Sequence, residues 1–223
     1  MLFLHPRMVH VARIRLDPAG LDEAVEESRA AARERSLTGV RWWVGDLAQP
    51  TDLGERLLAL GFERAEETTA LALDHPPLGE PAFAARPAAD LAEFSQAQEL
   101  DWEVTGLSAK SRDRLRADLP GSWERQGDYS RTFVVAEAGE VISMGRSSYG
   151  DEAVFLSGGA TAPAHRRRGA YSATVHARWH DAAAQGTPLL VTQAGPMSAP
   201  VLRGLGFREV GRVTLYADRL ETV

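Results

Sequence analysis

The sequence predicts an α/β (α+β) chain in which the order strand–helix–strand–helix–strand is run through twice. Three observations point there. The triplets Leu60-Gly61-Phe62 and Leu205-Gly206-Phe207 each follow a helical pattern and precede a strand pattern. An apolar run at 153–162 passes through Pro163 and Arg166-Arg167-Arg168-Gly169 into a helical pattern with no breaker before Gly186. The 223 residues are 44% hydrophobic and 25% charged, ordinary globular usage, so a packed core is expected. That length suits one large or two modest domains. The proline-rich stretch Asp74-His75-Pro76-Pro77-Leu78-Gly79-Glu80-Pro81 is the natural boundary, giving domains at 1–76 and 83–223 with a linker at 77–82.

In the first run, residues 8–16 alternate toward their end and predict a strand. Asp17 is placed to cap a helix with Pro18 at its first position, so 19–34 is read as helical, with Leu21, Val25 and Ala32 inward. Residues 40–44 (VRWWV) form a second strand. Thr51 or Asp52 caps a short helix through Leu60, which Gly61 ends before a strand at 62–73.

In the second run, 83–86 should open as a strand, followed by a helix from Asp90 to Leu100 with Leu91 and Phe94 inward. Asp101-Trp102-Glu103 is read as the chain after that helix; there Trp102 either packs in the core or lines an acceptor, and Glu103 can attract a cationic amine. A helix at 108–118 ends at Pro120-Gly121. Strands at 129–137 and 140–148 flank the turn Ala138-Gly139. The strand at 153–162 contains Gly158-Gly159, which marks either a bulge or a close backbone approach. A strand at 189–192, a helix opening at Ser198-Ala199-Pro200 and a strand at 212–217 complete the chain.

The turn at 163–169 has the makings of an anion site. The first N–H groups of a helix lack intrahelical partners and carry the positive end of its dipole. Gly169 lets a ligand approach the backbone closely, and three guanidinium groups add charge-assisted donors. A phosphorylated ligand is the expected occupant. A solvated basic turn or a nucleic-acid patch is the competing use, but the order strand, proline, glycine, helix favours phosphate. In the first run the matching turn reads Asp17-Pro18-Ala19-Gly20, where carboxylate repels phosphate and proline lacks an N–H.

Arg166-Arg167-Arg168-Gly169-Ala170-Tyr171 resembles the R/Q-x-x-G-x-G/A signature of the GNAT superfamily of acetyl-CoA-dependent N-acetyltransferases. Leu205-Gly206-Phe207 resembles the L-G-F near that family's C-terminus. The resemblance spans roughly 83–220 and departs from the pattern at Tyr171, where the family carries Gly or Ala. It implies a mixed, mostly antiparallel central sheet flanked by helices, preceded here by a partial, degenerate N-terminal repeat of the same fold. It further implies acetyl-CoA as co-substrate and direct acetyl transfer to a primary amine. A small-molecule amine, such as an amino acid or an antibiotic-like polyamine, is favoured over a protein N-terminus as acceptor, only because acidic acceptor-side residues suit a cation. The cofactor-binding positions implied are Gly159, Ala160 and Thr161, whose N–H groups are oxyanion candidates, then Arg166, Arg167, Arg168, Gly169, Ala170, Tyr171 and Ser172. Ser198 either caps the last helix or touches the cofactor.

The proton relay is not implied as clearly. The tyrosine usual in the family three residues before the L-G-F leucine is Leu202 here. A glutamate some members carry in the central strand is Phe155, and the asparagine before the final helix is Gly195. That leaves Tyr171 or Tyr216 as acid and Glu103 or Glu152 as base, or water in their place. The alternative function is an acyl-CoA-binding sensor or scaffold without turnover.

Composition narrows the rest. A net charge of −6 argues against a nucleic-acid partner. With no cysteine, disulfides, thiolate metal sites and a cysteine acyl-enzyme are excluded, and with no H-E-x-x-H no metal is expected. No apolar run is long enough to span a bilayer, and His5, Pro6 and Arg7 interrupt the N-terminal apolar residues. The expectation is a cytoplasmic protein with no membrane partner, its oligomeric state open between monomer and homodimer.

Overall fold

The computed structural model describes residues 2–4, 8–127 and 129–220. Residues 5–7, which break the N-terminal apolar run, lie outside them. In chain order the elements are β1 (Leu2–Leu4), β2 (Met8–Val11), α1 (Leu21–Glu34), β3 (Gly39–Gly45), α2 (Leu53–Ala59) and β4 (Glu63–Leu73). They continue with β5 (Arg86–Pro87), α3 (Leu91–Val104), α4 (Ala109–Ala117), α5 (Leu119–Glu124), β6 (Ser130–Glu137), β7 (Glu140–Tyr149) and β8 (Val154–Thr161). The chain ends with α6 (Ala170–Ala184), β9 (Leu190–Ala194), α7 (Ala199–Gly204) and β10 (Arg208–Arg219).

The chain folds as two compact units, Met1–Ala70 with Val210–Val223, and Leu71–Glu209. The sequence places 210–223 with the second domain. They fold in the first unit because β10 pairs antiparallel with β3, from Val213↔Gly45 to Arg219↔Gly39.

In the first unit β2 and β3 run parallel, Met8↔Gly39 through Val11↔Trp42, joined by α1. Its core gathers Val9, Leu21, Val25, Trp42, Leu53, Leu57 and Phe62, with Trp42 and Phe62 edge to face at 6.2 Å. The expected strand at 8–16 stops at Val11. Arg13 turns left-handed (φ 53°), and the chain then meets Gln49, whose N–H donates to the Ile14 carbonyl at 3.1 Å. Asp17 does cap, accepting from the Ala19 N–H at 2.8 Å, but the turn it caps is a short 3₁₀ piece, Pro18–Gly20, ahead of α1.

In the second unit the strand order is β9-β8-β7-β6-β5, antiparallel except for β8 and β9. The Ala138-Gly139 turn has positive φ at both residues (52° and 86°), which matches the right-handed twist of its flanking strands. Two helical expectations are corrected. Helix α3 runs on to Val104, so Asp101, Trp102 and Glu103 are helical; its true stop is Thr105 followed by Gly106 in the left-handed region (φ 68°). Pro120 lies in the first turn of α5, where its missing N–H costs nothing, so it opens a helix where the sequence suggests an end. The strand expected at 83–86 shrinks to Arg86–Pro87, because Phe83 packs with Val135, Ile142, Ala170 and Ala173.

Helix α3 has a doubly held start. Asp90 accepts from the Glu93 N–H at 2.9 Å, and Glu93 accepts from the Ala89 N–H at 2.9 Å while Arg86 grips both its oxygens at 2.6 Å. Arg86 first, then the Ala89 N–H, hold the Glu93 carboxyl down to about 2 against an ordinary 4.5. A carboxyl depressed by folding stabilises above its unfolded value, and that contribution disappears as pH falls toward the folded one. Glu93→Gln is therefore expected to cost about 1 kcal/mol near neutral pH. Urea melts of the two proteins should converge as pH drops from 4.5 toward about 2.

Candidate functional site

The second unit's site is built where β8 loses its neighbour. Strand β8 pairs with β9 only from Val154↔Leu190 to Leu156↔Thr192, the last pair reinforced by the Thr192 hydroxyl donating to the Leu156 carbonyl at 2.8 Å. Past Leu156 the parallel register ends while β8 continues through Thr161. On its other side, the pairs Met144↔Ala160 and Arg146↔Ser157 leave Gly158 and Gly159 opposite Gly145 alone. The glycine pair is therefore a β-bulge, with Gly158 left-handed at φ 52°. The backbone of Gly159, Ala160 and Thr161 follows that bulge. Ala160 accepts at its carbonyl from Ser143 Oγ at 3.1 Å, and Thr161 Oγ1 shares a 2.8 Å bond with the same hydroxyl.

Downstream, Pro163–His165 form one 3₁₀ turn, and Arg167 (φ 62°) and Gly169 (φ 91°) both take left-handed conformations before α6. The N-terminus of α6 has no side-chain cap and no acidic residue in its first turn, and its first helical bond runs from the Ala173 N–H to the Gly169 carbonyl at 3.0 Å. Donors at Ala170, Tyr171 and Ser172 thus open this fifteen-residue helix without an intrahelical partner.

The three arginines have separate duties. Arg168 donates to both oxygens of Glu137 (2.7 and 3.1 Å), contacts His165 Nδ1 at 2.7 Å and stands 5.3 Å over the Phe83 ring. That pairing holds the Glu137 carboxyl below its ordinary value. Arg166 donates to the Thr161 carbonyl at 3.3 Å and ties the turn to β8. Arg167 is exposed and makes no hydrogen bond or ion pair with any described residue. The terminal nitrogens of exposed Arg166 likewise make no hydrogen bond or ion pair with a described residue.

Tyr171 turns inward. A Cβ on Gly159 would meet its ring at 2.7 Å, and a Cβ on Gly145 would meet the Arg178 guanidinium at 2.7 Å, so the two glycines make room for these side chains. Tyr171 and Arg178 stack at 5.9 Å. Arg178 is buried and donates to the Thr174 carbonyl (3.0 Å), Thr174 Oγ1 (3.2 Å) and the Arg146 carbonyl (3.4 Å). Toward its other end α6 is held by Asp181, which accepts from Arg131 and from the Tyr149 hydroxyl. Burial first, then Asp181, push that hydroxyl up to about 12. The large residue in the signature's final position therefore serves packing between helix and sheet.

Tyr216 is in the first unit, against Gly54 of α2. Glu103 is exposed on α3, and Glu152 is exposed in the turn after β7. Trp102 is buried with Phe94 and Leu119, a core residue. Ser198 does not cap α7; its hydroxyl donates to the Gly195 carbonyl at 3.4 Å. His176 and His180 stand one turn apart on α6, a spacing present in the sequence, but no group of three potential metal ligands occurs among the described residues. Burial, then His180, lower the His176 pKa.

What the sequence reading missed is on α3. Asp101 is half-buried, and its Oδ2 lies 3.7 Å from the point a Cβ on Gly158 would occupy, with Arg146 Nη1 3.5 Å from the same point. Arg146 donates to Gln98 Oε1 at 2.8 Å. Burial raises the Asp101 pKa above the ordinary 3.8, and the Arg146 charge only partly opposes it. A half-buried carboxyl beside the β8 bulge is the kind of group general-base chemistry uses. The signal was available: Phe94, Gln98 and Asp101 fall at i, i+4 and i+7, so two polar residues interrupt a buried helical stripe.

No family model and no curated protein matches the sequence. Solved structures do match its fold. A GCN5-related N-acetyltransferase from Kribbella flavida is 16% identical with a TM-score of 0.71, covering 96% of this chain and 82% of its own. A tandem GNAT protein from the clavulanic acid biosynthesis pathway is 16% identical with a TM-score of 0.65, covering 95% of this chain and 75% of its own. A GCN5-related N-acetyltransferase from Sphaerobacter thermophilus is 18% identical with a TM-score of 0.64, covering 95% and 72%. The chain therefore has the fold of these acetyltransferases: a mixed, mostly antiparallel sheet flanked by helices. No helix among the described residues is long and apolar enough to cross a membrane.

Proposed function

We propose that the chain is an acyltransferase that passes an acetyl group from acetyl-CoA directly to a primary amine. One observation carries this reading: an uncapped helix N-terminus behind left-handed Gly169, on the strand whose parallel neighbour departs after Leu156. The orphan N–H groups of 170–172 and the unengaged Arg167 would hold a diphosphate. The gap past Leu156 gives an extended acyl arm backbone to lie along. Arg168 and Arg166 brace the turn from behind.

For the acceptor, Asp101 takes the proton as the amine becomes nucleophilic, and an N–H among Gly159 to Thr161 that points away from β7 would stabilise the developing oxyanion. A raised carboxyl beside the strand that would carry the thioester favours turnover over a sensor that only binds. The first unit reads as a degenerate partial repeat. Its β2–α1–β3 arrangement is also parallel, but Asp17 occupies the turn and Asp22 and Glu23 fill the first turn of α1, a poor seat for phosphate.

Calorimetry of the full chain with acetyl-CoA is expected to show saturable one-to-one binding, and a panel of small primary amines should release free thiol from the bound thioester. Absence of saturation would overturn the cofactor assignment. Saturable binding without thiol release across the panel would overturn transfer.

A further inference from the structure

The cluster on α3 and β7 contains more than a proton acceptor. Asp101 Oδ2 and Arg146 Nη1 approach one point in space, 3.7 and 3.5 Å away, yet no hydrogen bond or ion pair joins them. That point is where a Gly158 side chain would begin, and the left-handed φ of 52° disfavours one there, so no Cβ stands against either charge. Opposite charges this near ordinarily close on each other. Here Gln98 restrains the arginine, with its Oε1 accepting from Arg146 Nη2 at 2.8 Å. The same bond fixes which way the Gln98 amide faces. Its Nε2 is then a donor with no partner on a side chain only 6% exposed. An orphan donor, a guanidinium and a carboxylate thus share one neighbourhood, where no ion pair closes on either charge and the Gln98 Nε2 donor has no acceptor.

A ligand that satisfies all three carries an ammonium for Asp101 and, close to it, an anionic acceptor with several lone pairs for Arg146 and Gln98. A plain amine or polyamine would leave Arg146 and the Gln98 donor unmatched, and a peptide N-terminus has a neutral amide carbonyl where the anion belongs. Resting on the acetyl-transfer reading above, we infer that the acceptor is a free amino acid, held as its zwitterion between Asp101 and the Arg146–Gln98 pair over Gly158. The ammonium gives one proton to Asp101 and the freed amine attacks the thioester carbonyl. An N–C bond forms and the C–S bond breaks. The second proton lost by nitrogen accompanies the departing thiolate, leaving an N-acetyl amino acid and free coenzyme A.

The test compares the twenty common L-amino acids with their carboxamides, by thiol release with acetyl-CoA and, separately, by calorimetry of each compound against the full chain. At least one amino acid is expected to exceed its carboxamide in kcat/KM by tenfold or more. Arg146→Gln should erase that preference, lowering the amino acid by ten- to a hundredfold and its amide by no more than about threefold, with Arg146→Lys intermediate. Carboxamides used as well as the acids would overturn the inference, as would an Arg146→Gln variant that lowers both alike. Calorimetry separates this failure from failure of the transfer reading. Arg146-dependent binding of an amino acid without thiol release supports the zwitterion site and sinks only transfer, whereas no binding and no preference sinks the site.

Discussion

Asp101→Asn is expected to reduce thiol release about a hundredfold or more, within the range assigned to general-base catalysis, with acetyl-CoA affinity unchanged. Two further readouts distinguish lost chemistry from lost folding. The wild-type acid limb of kcat/KM should lie above the usual carboxylate range, because burial raises the Asp101 pKa, and the asparagine protein should lack that limb. Stability should move the other way. A carboxyl raised by folding stabilises below its unfolded value and loses that contribution as pH rises through the folded one. Above the folded pKa the wild type bears a desolvated charge that asparagine does not, so in that range the variant should melt at the same temperature or higher. Activity within threefold of wild type would remove Asp101 from the mechanism.

The second large effect is on the cofactor. Gly169→Val puts a β-branched side chain at φ 91°, with its Cβ 3.0 Å from that of Ala82, and covers the N–H groups of the first turn. Acetyl-CoA binding should fall by about a hundredfold or beyond calorimetric detection, the scale of losing two charge-assisted bonds. Arg167→Glu tests the same contact without backbone strain. It should weaken binding about ten- to a hundredfold, with the deficit shrinking at high salt, and leave the melting temperature close to wild type. Arg168→Glu should behave differently, because it sets two carboxylates together at Glu137 and so lowers stability as well. Equal affinity of Arg167→Glu and wild type would remove the turn from the cofactor site.

These contrasts follow from where particular residues fall. The arginine triplet is legible in the sequence as one basic turn, yet which guanidinium is free depends on Glu137, thirty-one residues away on β6. Tyr171 reads as a hydroxyl near a cofactor; its actual setting needs Gly145 and Gly159 from two strands to make room for it and Arg178. Tyr216 reads in the sequence as a candidate acid, and only the pairing of β10 with β3 shows that it belongs to the first unit.

Most of the elements, and the basic turn ahead of α6, are legible in the residues alone. Periodicity, Asp17 as a cap, and Gly61, Ala138-Gly139 and Gly169 at backbone reversals are local effects, decided within a few residues by sterics and by the backbone's own hydrogen bonds. The surroundings of the charged groups come from packing between distant segments. Asp101, Arg146 and Gly158 come from a helix and two strands far apart in the chain, and a carboxyl's proton affinity depends on how much water and which charges surround it.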